Sequence, residues 1–286
     1  MTLLSLSLLV IAAFLHAGWN LVAKRVAGGA AFTWLFSSFS VLLLFPFALS
    51  ATSGKGCFLG TELLLFASGS AVFETGYFLF LQRGYKAGDM SVIYPLARGT
   101  GPLVATFLAI VVLGERPTPL NLAGTGLVVA GILWIAGFSP HLKDFRSRTA
   151  PLLGIATGVC IAGYSLVDRM AVGERGFPPT LFFFAVIVIQ VMFLTPLALR
   201  ESEGILLQWT YYRRPAFTIA FLATSAYLAV LYALSITPLS LIAPAREASI
   251  VIGTFLGATV LGEGYKKRRM TGSAIILAGI ALLAAG

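Results

Sequence analysis

The sequence predicts an all-α integral membrane protein of ten transmembrane helices, arranged as two inverted five-helix repeats. Three observations carry that expectation: the composition, the spacing of the apolar runs, and an internal repeat with an odd number of spans. Hydrophobic residues make up 58% of the 286 positions and charged residues 11%, and the mean hydropathy is +0.92. A soluble globule of this length needs far more polar surface than that.

A hydrocarbon layer about 30 Å thick takes roughly 20 apolar residues of helix. Cutting the chain where charges, Gly and Pro cluster leaves ten segments, at 3–22, 31–49, 63–81, 91–113, 120–137, 151–167, 180–199, 216–235, 239–261 and 270–285. The first has no basic stretch before it and is followed by Lys24 and Arg25, so it reads as a retained helix and not as a signal peptide. The second and seventh each carry one proline, Pro46 and Pro196, at matching places. The third holds Glu74 near its middle, and the fourth brackets Arg98 between Pro95 and Pro102. The sixth and ninth contain small-residue spacings, Gly154 to Gly158 and Gly253 to Gly257, that suit close helix approach. The longest connection, about 200–215, is too short for a soluble domain, so function is expected among the helices.

The net charge of +9 and pI near 9.8 would suggest a nucleic-acid partner in a soluble protein, but their distribution says otherwise. One face collects Lys24, Arg25, Arg83, Lys86, Lys143, Arg146, Arg148, Arg200, Arg213, Arg214 and 266–269, and the other little beyond Lys55, Arg116 and Arg175. This is the positive-inside bias, which predicts basic loops in the cytoplasm, both termini on the opposite face, and no nucleic-acid partner. Cys57, Cys160, His16 and His141 form no spaced set, so neither a metal, a disulfide nor a cofactor is expected.

Sliding the sequence by 148 residues matches 14 of the 40 positions 97–136, including Ala97-Arg98 with Ala245-Arg246, Leu113-Gly114-Glu115 with Leu261-Gly262-Glu263, and Ala130-Gly131-Ile132 with Ala278-Gly279-Ile280. At nearby offsets residues 17–22 match 162–167, and Tyr77 matches Tyr227. The halves are therefore drawn at 1–140 and 149–286. With five spans each, the second must enter the membrane from the opposite side, which makes the repeats inverted and suits alternating access around a central site.

Charges inside apolar spans are costly and need a partner or a purpose. Glu74, Arg98, Arg246 and Glu247 qualify. Arg98 and Arg246 are repeat equivalents, and two guanidinium forks at similar depth could grip a carboxylate, phosphate or phosphonate; alternatively each is neutralised by Glu74 or Glu247 and only holds helices together. Glu74 has uncharged Thr224 as its counterpart, and a carboxyl there is a candidate for coupling protons to transport. Trp19 and Asn20, one face with His16, and Tyr77 and Tyr94 are candidate cavity walls, with an interfacial anchor as the other reading for Trp19. Glu115 and Glu263 end equivalent helices on opposite faces, where each either caps backbone amides or acts in a gate.

On these features, ten spans in two repeats, the two Leu-Gly-Glu ends and Leu-His-Ala-Gly-Trp-Asn-Leu-Val-Ala-Lys-Arg at 15–25, the chain resembles the EamA-type transporters of the drug/metabolite transporter superfamily, in a ten-helix bacterial branch. The resemblance implies a bacterial inner-membrane carrier with a central cavity, in a family whose members are often exporters of amino acids or other small metabolites; a monomer or homodimer is expected. Consistent with that, no Walker-type phosphate loop is present. The leading expectation is a secondary transporter of a small anionic or zwitterionic metabolite, not an enzyme. A lipid or lipid-linked sugar flippase of the same fold is the alternative; an intramembrane enzyme has only Glu74 and His16 as candidate groups.

Overall fold

The computed structural model describes residues 1–23, 26, 29–52, 60–87, 90–136, 149–260 and 266–286. Its helices are α1 (Leu3–Ala23), α2 (Ala30–Thr52), α3 (Thr61–Ala87), α4 (Met90–Val111), α5 (Pro119–Ala136), α6 (Thr149–Asp168), α7 (Pro179–Arg200), α8 (Ser202–Ile236), α9 (Leu239–Ala245), α10 (Ala248–Val260) and α11 (Lys266–Ala285). Among the described residues nine helices are long and apolar enough to cross a membrane singly. The tenth crossing is made by α9 and α10 together.

At the break between α9 and α10 the chain tightens from i−4 to i−3 hydrogen bonds: Glu247 N–H bonds the Pro244 carbonyl at 3.1 Å and Ile250 N–H bonds that of Glu247 at 2.9 Å. The equivalent α4 contains two prolines and still runs unbroken. Two other elements extend past their expected ends. Beyond Asp168, α6 continues as a π-helical turn, Arg169–Glu174, so a charged pair that reads as the end of a span lies inside it. Of the 200–215 stretch, expected as a loop, residues 202–215 belong to α8, whose 35 residues make a rod about 50 Å long at 1.5 Å per residue. Aromatic packing overrides the charges there: Tyr212 meets Phe32 at 6.3 Å, and Trp209 and Phe217 flank Phe39 at 6.0 and 5.7 Å.

The inverted symmetry can be followed through the helix contacts. α3 packs on α6 as its counterpart α8 packs on α1, and the equivalent pairs α2 with α7, α4 with α9, and α5 with α11 meet each other across the axis. The α5–α11 seam shows it in single residues. A Cβ placed on Gly124 would stand 2.8 Å from the carbonyl oxygen of Gly279, and one on Gly131 would stand 2.9 Å from that of Gly272. Gly272 and Gly279 are the repeat images of Gly124 and Gly131, so each contact is the other's mirror, as a two-fold axis requires. The small-residue spacings divide. At Gly158 a Cβ would meet the Ala97 carbonyl oxygen at 2.8 Å, whereas Gly253 faces open space, so close approach holds for the first and not for Gly253.

Candidate functional site

Between the halves lies a cavity of about 200 Å³. Its wall is mostly apolar, with Phe36, Phe78, Ile161, Phe183, Ile187, Ile219 and Val230 among the lining residues. Into it project His16, Trp19, Glu74, Tyr77, Arg98, Tyr164, Gln190, Thr224, Tyr227 and Arg246. Drug-sized pockets start near 300 Å³, so this space suits a small molecule.

The two arginines are placed alike and partnered differently. Arg98 Nη1 lies 3.3 Å from both carboxylate oxygens of Glu247, whose side chain is fully buried. Its Nη2 is 2.8 Å from His16 Nε2; a guanidinium only donates, so that nitrogen accepts and the imidazole proton sits on Nδ1. Its guanidinium also stands 5.5 Å from the centre of the Tyr94 ring. Arg246 bonds the Tyr164 hydroxyl at 3.3 Å and lies 5.6 Å from that ring's centre. Among the described residues Arg246 makes no ion pair. The His16–Arg98 and Tyr164–Arg246 contacts both span 82 residues. By contact, then, the counterpart of Tyr164 is His16, one turn before the Trp19 with which the sequence match aligns it.

The carboxylates form a second group, of which Glu74 lines the same space and Asp168 does not. Glu74 accepts from Gln190 Nε2 at 3.1 Å and lines the cavity. One turn away on α3, Ser70 donates to Asp168 Oδ1 at 2.6 Å, while the Tyr227 hydroxyl donates to Oδ2. Asp168 is fully buried and, like Glu74, makes no ion pair among the described residues. The rings of Tyr77, Tyr164 and Tyr227 follow one another at 6.4 and 6.1 Å, and Tyr227 meets Phe183 at 4.9 Å.

Of the candidates from sequence, the structure brings Arg98, Arg246, Glu74, Trp19 and Tyr77 to one cavity wall. Glu247, Asn20 and Tyr94 stand outside it. Glu247 is spent on Arg98, Asn20 donates to the His16 carbonyl of its own helix at 2.7 Å, and Tyr94 lies behind Arg98. Glu115 caps the start of α9: it accepts from the Leu239 and Ser240 amides at 2.8 and 2.9 Å and from the Ser240 hydroxyl at 2.6 Å. Arg169 lies beside it, bonding the Leu234 carbonyl at 2.6 Å and Glu174 at 3.2 Å. Glu263 lies outside the described residues. Sequence reasoning passed over Asp168, Arg169 and Gln190. The first two sit where the apolar run ends, although aligning 17–24 with 162–169 already places Asp168 one residue beyond the match. Gln190 is uncharged and left no signal among apolar neighbours.

Two inverted five-helix repeats closed around a polar-studded cavity have the architecture of a membrane transporter. The sequence model of the EamA-like transporter family matches residues 3–137 and again 148–285, and the chain belongs to that family, within the drug/metabolite transporter superfamily. A solved crystal structure, titled only as that of a protein, superposes with a TM-score of 0.69 over 98% of this chain and 97% of its own at 16% identity, which shows a shared fold. No curated protein matches in sequence.

Proposed function

We propose that this chain is a secondary transporter of a small anionic or zwitterionic metabolite, which binds by its anionic group to Arg246. The observation that carries the reading is the unequal partnering of the arginines, both of which line the cavity: Arg98 is paired with Glu247, while Arg246 makes no ion pair among the described residues and donates to the Tyr164 hydroxyl. A permanently charged guanidinium in an apolar wall is stabilised by a bound carboxylate, phosphate or phosphonate. Glu74, lining the same space, offers an acceptor for a solute ammonium, and the aromatic and aliphatic wall takes an apolar body. We place the site residues at Arg246, Glu74, Trp19 and Tyr77, with Arg98 and Glu247 as the pair that fixes the wall. The basic loops are assigned to the cytoplasmic side of a bacterial inner membrane, on the charge bias alone.

Thermal stability of the purified protein against amino acids, organic anions and phosphonates tests this directly, because a ligand that binds the folded state raises its melting temperature. Shifts confined to anions and zwitterions, and lost in Arg246→Ala, support it. Stabilisation by hydrophobic cations or lipids alone overturns it and favours a site centred on Glu74 or a flippase.

A further inference from the structure

We infer that Asp168 is a proton-binding site of this transporter, linked to the solute cavity through the hydroxyl of Tyr227. The inference rests on the anionic-solute reading above and adds the ion that travels with the solute. Asp168 is fully buried within the extended sixth span, makes no ion pair among the described residues, and has each oxygen held by one hydroxyl, Ser70 on one side and Tyr227 on the other. An unpaired carboxylate at such depth is rare and marks ion or proton pathways. Asp168 does not line the cavity itself, whereas Tyr227 does.

A phenol has one proton to donate. Here it goes to Asp168 Oδ2. An anion seated on Arg246 lies beside Tyr164, whose ring adjoins that of Tyr227, and so competes for the same donor. When the solute takes it, Asp168 keeps its charge and loses a hydrogen bond, and a proton on Oδ2 removes the deficit. In the other order, protonating Oδ2 turns that oxygen from acceptor into donor and frees the Tyr227 proton to turn toward the cavity. Each binding event therefore favours the other, by the same factor in both directions.

The charged and titratable groups around Asp168 are Glu74 on α3, Tyr227 on α8, Arg246 after α9 and Arg169 beside it in the chain. Glu74 is the competing candidate. It lines the cavity directly and accepts from Gln190 Nε2, whose amide has a second N–H to offer a solute, so its protonation is not tied to a single shared donor. A proton that loads with the solute makes the carrier a symporter, and an inward proton gradient then drives uptake, the reverse of the export that the family resemblance implies.

Titration of the purified protein with phenylacetate and with L-leucine, in buffers of different ionisation heat, counts protons taken up per solute. The wild type is expected to take up one proton and to bind more tightly toward acid, by up to about tenfold per pH unit. Asp168→Asn and Tyr227→Phe are expected to flatten that slope, and Glu74→Gln, which weakens L-leucine through its ammonium, to keep the slope for phenylacetate; an unchanged slope in Asp168→Asn overturns the inference, and a wild type that binds without any slope does so while leaving the anion site standing. Infrared difference spectra on acidification need no solute. A protonated-carboxyl band that disappears in Asp168→Asn and persists in Glu74→Gln supports the site, and a band unaffected by Asp168→Asn sinks it even where neither probe binds.

Discussion

The same arginine appears once in each half, and the two have opposite surroundings. In the first half Arg98 sits on an unbroken helix and is enclosed by Glu247, His16 and Tyr94. In the second, Arg246 stands where α9 ends and has a tyrosine and open cavity around it. One residue explains much of the difference: Glu247 occupies the repeat position held in the first half by Gly99. The carboxylate that follows Arg246 in the chain crosses the axis and makes its ion pair with Arg98, leaving its own neighbour without one among the described residues. Duplication supplied two equivalent cations, and a single acidic side chain assigned one to structure and freed the other.

The largest expected effect comes from breaking that assignment. Glu247→Ala leaves Arg98 buried and unpaired, which costs about 3 to 5 kcal/mol, whereas removing both charges in Arg98→Met/Glu247→Leu leaves stability nearly unchanged. Unfolding of the purified variants in detergent measures both. A Glu247→Ala protein as stable as the wild type would show that His16 and water suffice for Arg98.

Next in size is Arg246→Ala. A charge-assisted hydrogen bond is worth about 1.5 to 3 kcal/mol, so affinity for an anionic solute is expected to fall roughly 10- to 100-fold. Because no carboxylate among the described residues loses its partner, the protein is expected to unfold at the same temperature or higher. An Arg246→Ala protein that is destabilised and binds normally would exchange the roles of the two arginines.

This asymmetry was only half legible in the sequence. The repeat, the odd number of spans and the depth of both arginines follow from residues at fixed spacing, and so did the choice between solute contact and internal pairing. Which arginine took which role depends on a contact between Arg98 and Glu247, 149 residues apart, and no local pattern reports a partner across a symmetry axis. The limits of α6 and α8 were hidden for a related reason. Charges at Asp168, Arg169, Arg213 and Arg214 end a run of hydropathy, but hydrogen bonds from Ser70 and Tyr227 and aromatic packing on α2 carry the helices through them.

The glycines sharpen the comparison at smaller scale. Gly279→Ala puts a methyl 2.7 Å from the Gly124 carbonyl oxygen and must push α5 and α11 apart, at about 1 to 3 kcal/mol. Gly253→Ala meets nothing within 4 Å and is expected to stabilise α10 by up to about 1 kcal/mol through helix propensity. Melting temperatures moving in opposite directions support the packing described for the two sites; a loss at Gly253 would place a helix against α10 in another state of the transport cycle.

The smallest effect is expected where the two halves are joined at the start of α9. Glu115 accepts three hydrogen bonds there, one on Oε1 and two on Oε2. Removing a helix-capping side chain costs about 1 kcal/mol, so Glu115→Ala lowers global stability by no more than that. The same cost falls on local opening, and an opening free energy lower by about 1 kcal/mol makes the amides of Leu239 and Ser240 exchange roughly fivefold faster. Glu115→Gln offers one acceptor oxygen and turns an amide donor toward the others, so exchange at one of the two amides is expected to stay slow and at the other to rise. Unchanged exchange at both positions in Glu115→Ala would mean that α9 is held by its packing alone, and that Arg169, through the Leu234 carbonyl, is what ties α6 to this end of the second half.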